Sequence, residues 1–167
     1  GYESPASLSK AFKSRYGITP TQYRTDKNRY IMKRETINEN LALKAPKLVT
    51  LEDKSLIYVS LMGEYGSLNY DDAYQRLWHV VKEQKLFTKG IETLCISHDD
   101  PKVTEANQQR SDVCLAIHKP AKPQDGVSCK TLAGGKYAMF AYQGPYDNLA
   151  AVYDSAMRWL VNSEYEL

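Results

Sequence analysis

Few side chains in this sequence are spaced for catalysis. The three histidines, His79, His98 and His118, fall on a predicted helix, a loop and a strand end, and no Ser or Cys sits in a nucleophile motif. His, Cys, Asp and Glu do not recur at the intervals that hold a metal. Gly134-Gly135 reads as a hairpin turn between Leu132 and Tyr137, without the pattern of a phosphate-cradling loop. No cofactor is implied, and the chain is expected to bind rather than to catalyse. Its excess is in tyrosine: thirteen Tyr and two Trp stand against three Phe. Rings with a polar tip suit wet binding clefts and, equally, the edges of cores.

The bulk composition sets the frame for those rings. A chain of 167 residues holds one well-packed domain with an appendage, or two very small domains. Hydrophobic residues at 43% and charged residues at 25% are ordinary globular values, which argues against disorder. A net charge of +2 is too near neutral to draw the whole chain to nucleic acid, so any basic footprint must be local. One lies at the front: residues 1–34 carry Lys10, Lys13, Arg15, Arg24, Lys27, Arg29, Lys33 and Arg34 against Glu3 and Asp26. The remainder is slightly acidic, so the two parts are expected to have different partners. Cys95, Cys114 and Cys129 lie in alternating apolar stretches without a C-x-x-C spacing, which predicts reduced core thiols and a cytoplasmic setting. Neither a membrane span nor a signal peptide is expected.

Punctuation predicts two short helices at the front. Ser4 can cap a helix opened by Pro5, with Leu8, Ala11 and Phe12 on one face, and Gly17 ends it. Thr19-Pro20 starts a second through Tyr23 and Arg24. Residues 25–45 read as a linker with helical tendency. From there the texture turns to β alternation, around Leu48 to Leu51 and again through Leu56, Tyr58, Ser60 and Met62; with Glu52-Asp53-Lys54 between them, this predicts a hairpin. A helix from about Leu68 to Gln84 follows, then extended runs Ile91 to Ser97 and Asp112 to His118.

The chain repeats itself. A shift of 81 residues lays Thr50 on Thr131, Leu51 on Leu132, Gly63 on Gly144, Tyr65 on Tyr146, Leu68 on Leu149 and Trp78 on Trp159. About nine of some 37 positions agree without a gap, where chance gives roughly two or three. The predicted fold is therefore α+β, two strand-strand-helix-strand-strand units whose helices need a sheet to bury their apolar faces. The second unit is expected to be truncated, since its last two strands would fall beyond Leu167.

Both segments resemble known families. Gly-Tyr-Glu-Ser-Pro-Ala-Ser-Leu-Ser-Lys-Ala-Phe-Lys through Gly-Ile-Thr-Pro-Thr-Gln-Tyr-Arg resembles the recognition helix and closing helix of the second helix-turn-helix in AraC/XylS regulators. The repeat resembles the GyrI-like effector-binding domain, on Gly63-Glu64-Tyr65, Gly144-Pro145-Tyr146, the Trp-bearing helices and Arg110-Ser111-Asp112-Val113-Cys114. The expected organisation is a partial helix-turn-helix over residues 1–24, a linker over 25–45 and a GyrI-like domain over 46–167.

The AraC resemblance implies Ala6, Ser7 and Lys10 toward base edges and Lys13 or Arg15 toward phosphates, in an intact parent protein that binds DNA. The GyrI resemblance implies a lipophilic, cationic effector in an aromatic cleft between the repeats, as in multidrug-binding regulators. Its expected contacts are Tyr65 and Tyr146 at the helix entrances, Trp78 and Trp159 on the helices, and Tyr58, Tyr137 and Tyr142 on the strands. Glu64 or Asp112 would stand in for the carboxylate that the family carries in its final strand. A sheet edge left unpaired by truncation predicts association of two copies. Two other classes stay open: a gyrase-inhibitor type of protein-binding module and a GyrI-like small-molecule hydrolase.

Overall fold

Proline and glycine place the N-terminal helices where their backbone preferences require. The computed structural model of the chain describes residues 5–25 and 43–165; Ser4 and residues 26–42, the greater part of the expected linker, lie outside them. Helix α1 runs Pro5–Tyr16 and α2 runs Pro20–Thr25, each opened by a proline whose missing N–H would be unsatisfied there anyway. Gly17 ends α1 at φ +76°, its N–H bonded to Lys13 O at 2.8 Å, a left-handed conformation that favours glycine. Thr19 and Gln22 cap α2 reciprocally. The Gln22 N–H reaches Thr19 Oγ1 at 3.2 Å, and the Thr19 N–H reaches Gln22 Oε1 at 3.1 Å. The Phe12 and Tyr23 rings meet edge to face, 5.5 Å between centroids.

The rest of the chain supplies strands β1 (Lys47–Leu51), β2 (Lys54–Met62), β3 (Glu92–Ser97), β4 (Arg110–Ile117), β5 (Ser128–Leu132) and β6 (Gly135–Met139). Between them run α3 (Tyr70–Glu83) and α4 (Leu149–Val161). Two compact units result, residues 49–137 and residues 1–48 with 138–167.

Within residues 49–137, four antiparallel strands stand in the order β3-β4-β2-β5. Asn69 caps α3, its side chain accepting the Asp72 N–H at 3.1 Å. The helix then turns Ala73, Leu77, Val80 and Val81 onto Ile57, Val59, Val113, Leu115 and Ile117, all buried. Because successive strand residues alternate faces, Leu56, Cys114 and Ala116 point to the other side of the sheet. There they form a second buried cluster with Tyr58, Leu94, Ile96 and Leu132. Both faces of β4 are thereby covered, and every residue from Ser111 to Ile117 is buried. Of the cysteines only Cys114 is buried, and burial pushes its thiol up to about 12. Cys95 and Cys129, expected in the core, are exposed.

Neither expected hairpin forms. β1 pairs with β6 in a two-stranded ladder, whereas β2 pairs with β4 and β5. The residue pairs Leu51/Lys54 and Leu132/Gly135 therefore connect strands of different sheets. Under the 81-residue shift, Lys47–Leu51 falls on Ser128–Leu132, and the 3-10 turn Tyr65–Ser67 falls on Tyr146–Asn148. The first strand of each repeat has exchanged into the other repeat's sheet. Where the two connectors cross, the equivalent residues Asp53 and Gly134 touch, the Gly134 N–H donating to Asp53 Oδ1 at 2.7 Å. A Cβ at Gly134 would lie 2.5 Å from Leu51 O and 2.9 Å from Asp53 N. Only glycine lets the connectors pass, so Gly134→Ala should cost about 1–3 kcal/mol in urea unfolding. Gly66→Ala, with nothing within 4 Å of its Cβ position, should change stability by less than about 0.5 kcal/mol.

Candidate functional site

On the sheet face turned away from α3, a row of polar side chains interrupts the apolar cluster. The pairing register sets Ser60 beside Asp112 and Tyr58 beside Cys114 across β2 and β4, with Lys130 of β5 opposite Leu56. Asp112 is the centre. Its residue is 6% exposed, and a carboxylate so buried must be hydrogen-bonded or paired. Ser60 Oγ donates to Asp112 Oδ1 at 2.6 Å, His98 Nε2 to Oδ2 at 2.8 Å, and Lys130 Nζ also to Oδ2. Burial alone would raise the Asp112 pKa. The bonds from Lys130, Ser60 and His98 outweigh it, and the carboxyl titrates below its ordinary value. The same Lys130 ammonium stands 4.4 Å from the centroid of the Tyr58 ring, within the range at which a ring face attracts a cation.

Two of the expected contacts, Tyr58 and Asp112, are thus brought together. The groups that complete the arrangement, Lys130, His98 and Ser60, lie outside the expected set. A lysine in phase with Ser128 and Leu132 on an alternating strand was the available signal, since that phase turns it to the same face as Tyr58 and Asp112.

Tyr65 is held elsewhere in residues 49–137. Its hydroxyl lies 3.0 Å from both Asp99 O and Arg110 O and accepts the Asp99 N–H at 3.1 Å. Burial raises its pKa. Asp99 is itself clasped by Arg110 through Nε and Nη2 at 3.0 and 2.9 Å, and those bonds lower its pKa. Tyr65 therefore fastens the turn before α3 to the start of β4 and to the loop that follows β3. Glu64 accepts from Ser67 Oγ at 3.3 Å and is exposed. Trp78 stands on α3 off the buried face, 40% exposed. The Tyr137 hydroxyl donates to Ala133 O at 2.5 Å.

The repeat partners of Tyr65 and Trp78 have different surroundings. In the unit that includes residues 138–165, a cavity of about 600 Å³ is lined by Phe140, Tyr142, Tyr146, Leu149, Val152 and Tyr153 among others. Tyr146 is 86% exposed at its rim. Tyr142 is fixed by donation to Pro145 O at 3.1 Å. Trp159 backs the lining, edge to face with Phe140 at 5.7 Å and stacked on Tyr165 at 6.0 Å. Tyr142 and Tyr146 thus line one hollow together with Phe140 and Tyr153, which lie outside the expected set, and Trp159 stands behind Phe140. On α1, Ala6, Ser7, Lys10 and Lys13 are exposed, and the side chain of Arg15 lies outside the described residues.

Comparison with known proteins agrees with this architecture. The family model described as GyrI-like small molecule binding domain matches residues 44–167. That of bacterial regulatory helix-turn-helix proteins of the AraC family matches residues 1–25. Among solved structures, the chain is similar to the crystal structure of the EcmrR C-terminal domain, at 16% identity and a TM-score of 0.55, over 76% of this chain and 80% of that one. It is also similar to EcmrR in the cryo-EM structure of an EcmrR-DNA complex, at 14% identity and a TM-score of 0.56, over 95% of this chain and 59% of that one. At these identities the likeness is one of fold.

Replacing Asp112 isolates what its charge contributes. Asp112→Asn leaves the Lys130 ammonium without its counter-charge and should cost about 1–3 kcal/mol in urea unfolding at pH 7. A carboxyl whose pKa is lowered by folding stabilises above its unfolded value, near 3.8, and that stability disappears as pH falls through the folded value. The gap between parent and variant should therefore be full at pH 7 and narrow below about pH 4.

Proposed function

Since the chain belongs to the family of GyrI-like small-molecule-binding domains, with an AraC-type helix-turn-helix fragment ahead of that domain, we propose that it senses a lipophilic, cationic small molecule for a transcription regulator. The observation that carries this reading is the ring-lined hollow of residues 140–156. Its volume suits a molecule of drug size. Ring faces at its wall and rim attract a cation whose charge is spread over an apolar body, and such a body is cheap to desolvate.

The same reading makes the chain a binder and not a catalyst. Asp112, buried on the sheet of residues 49–137, is held ionised by three donors, which leaves it a weak base. DNA is the partner of the whole regulator, through helices of the kind to which α1 and α2 correspond, and the setting is the cytoplasm.

Tetraphenylphosphonium is a suitable probe, because it offers charge and aromatic surface without a hydrogen-bond donor. At about 100 times its dissociation constant it should add about 2.7 kcal/mol of stability to the full chain, read as a rise in melting temperature. Tyr142→Ala and Tyr146→Ala should each weaken that response. An unchanged melting temperature, or variants that respond like the parent, would refute the reading.

A further inference from the structure

The carboxylate and ring on the sheet face of residues 49–137 form an ammonium-binding arrangement, and its occupant is a side chain of the protein itself. Asp112 offers two oxygens on a covered surface. Ser60 takes Oδ1, and His98 and Lys130 share Oδ2. The Tyr58 ring supplies a face beside them, 4.4 Å from the Lys130 nitrogen. A buried carboxylate, a hydroxyl and a ring face are what a desolvated ammonium group requires in place of water.

Lys130 is suited to a removable occupant. Its side chain is 25% exposed, against 8% for that of Asp112, so its stem marks a path from solvent to the carboxylate. It stands on β5, an edge strand of the four-stranded sheet. Swinging its four-carbon stem outward is a rotamer change that leaves the ladder intact. His98, the other basic group at the carboxylate, has a side chain 35% exposed and a neutral form that can still donate to Asp112. Arg110, the nearest further cation in sequence, is clasped by Asp99.

We propose that Asp112, Tyr58 and Ser60 form a subsite for the ammonium group of an organic amine, which Lys130 fills as a tethered competitor until such a ligand displaces it. This rests on the reading that the domain takes cationic ligands, but it concerns residues apart from the hollow of residues 140–156. A tethered amine is present at high effective concentration, so simple amines and inorganic cations are turned away. A ligand displaces Lys130 only if its apolar body adds contacts of its own. The lysine thereby sets a threshold of selectivity.

Chemical rescue tests this in the full chain. Lys130→Ala removes the competitor and leaves room for n-propylammonium, which should raise the melting temperature of the variant and bind it at least about tenfold more tightly than the parent. Lys130→Met, which keeps the stem as far as Cε and vacates only the position of the nitrogen, serves if the alanine variant does not fold; its probe is the ammonium ion. Adding Asp112→Asn to either variant should abolish the response. The proposal is overturned if the lysine variants respond no more than the parent, or if the double variants respond as well as the single ones. Rescue by the small amines with no response to tetraphenylphosphonium would uphold this subsite while removing the reading of the hollow. The reverse pattern would do the opposite.

Discussion

Neither repeat completes its own sheet. The first strand of each crosses into the sheet of the other, so β2 has β5 as a neighbour and β1 has β6. Everything of chemical interest on the sheet of residues 49–137 depends on that exchange. Asp112 and Tyr58 belong to the first repeat, whereas Lys130 belongs to the second and reaches them only because β5 has joined the foreign sheet. Had β1 and β2 closed as a hairpin, the strand beside Leu56 would have been β1, and the carboxylate would have lacked its ammonium. The crossing is tight enough that Gly134 at its centre has no room for a side chain. Topology, not local sequence, is therefore what brings the two charges together.

Burial then decides how those charges behave. An isolated carboxylate on a covered sheet face would take up a proton rather than remain charged. Three donors reverse this for Asp112, and with the lysine present the pair is close to electrically neutral. Binding a cation there is an exchange of one ammonium for another, so the Coulombic gain largely cancels and the difference comes from what surrounds the charge. A site of this kind selects on the apolar part of a ligand even though a charge opens the door. Sensing likewise requires ligand contacts that differ between two states of the protein, and a lysine either seated or expelled is a local change of that type.

Much of this architecture was legible in the residues. The two N-terminal helices follow from Pro5, Gly17 and Pro20, and the helix opened by Asn69 from its i, i+4, i+7 apolar spacing at Ala73, Leu77 and Val80. The repeat itself is visible as identities at a fixed shift. The strand exchange was not legible, because alternation predicts a strand and its inward face but carries no information about which neighbour it takes. Glu52-Asp53 and Ala133-Gly134 are as compatible with tight hairpins as with a crossing. The same blindness hid Lys130: its phase put it on an inward face, but its partner depended on the pairing. Asp112 and Tyr58 could be singled out as acid and ring, yet not as a pair already supplied with a cation.

The two tyrosines at equivalent positions show how far a repeat can diverge in use while keeping its backbone. Tyr65 and Tyr146 each open a 3-10 turn ahead of a helix. Tyr65 spends its hydroxyl on the backbone of Asp99 and Arg110, in the loop and strand that follow its own helix. Tyr146 stands 86% exposed at the rim of a hollow. A ring committed to backbone hydrogen bonds is fixed in place, whereas an exposed ring keeps a face open to contact. Hydrogen bonding thus separates the two positions: the tyrosine of the first repeat locks its turn, and that of the second is exposed at the rim of the hollow.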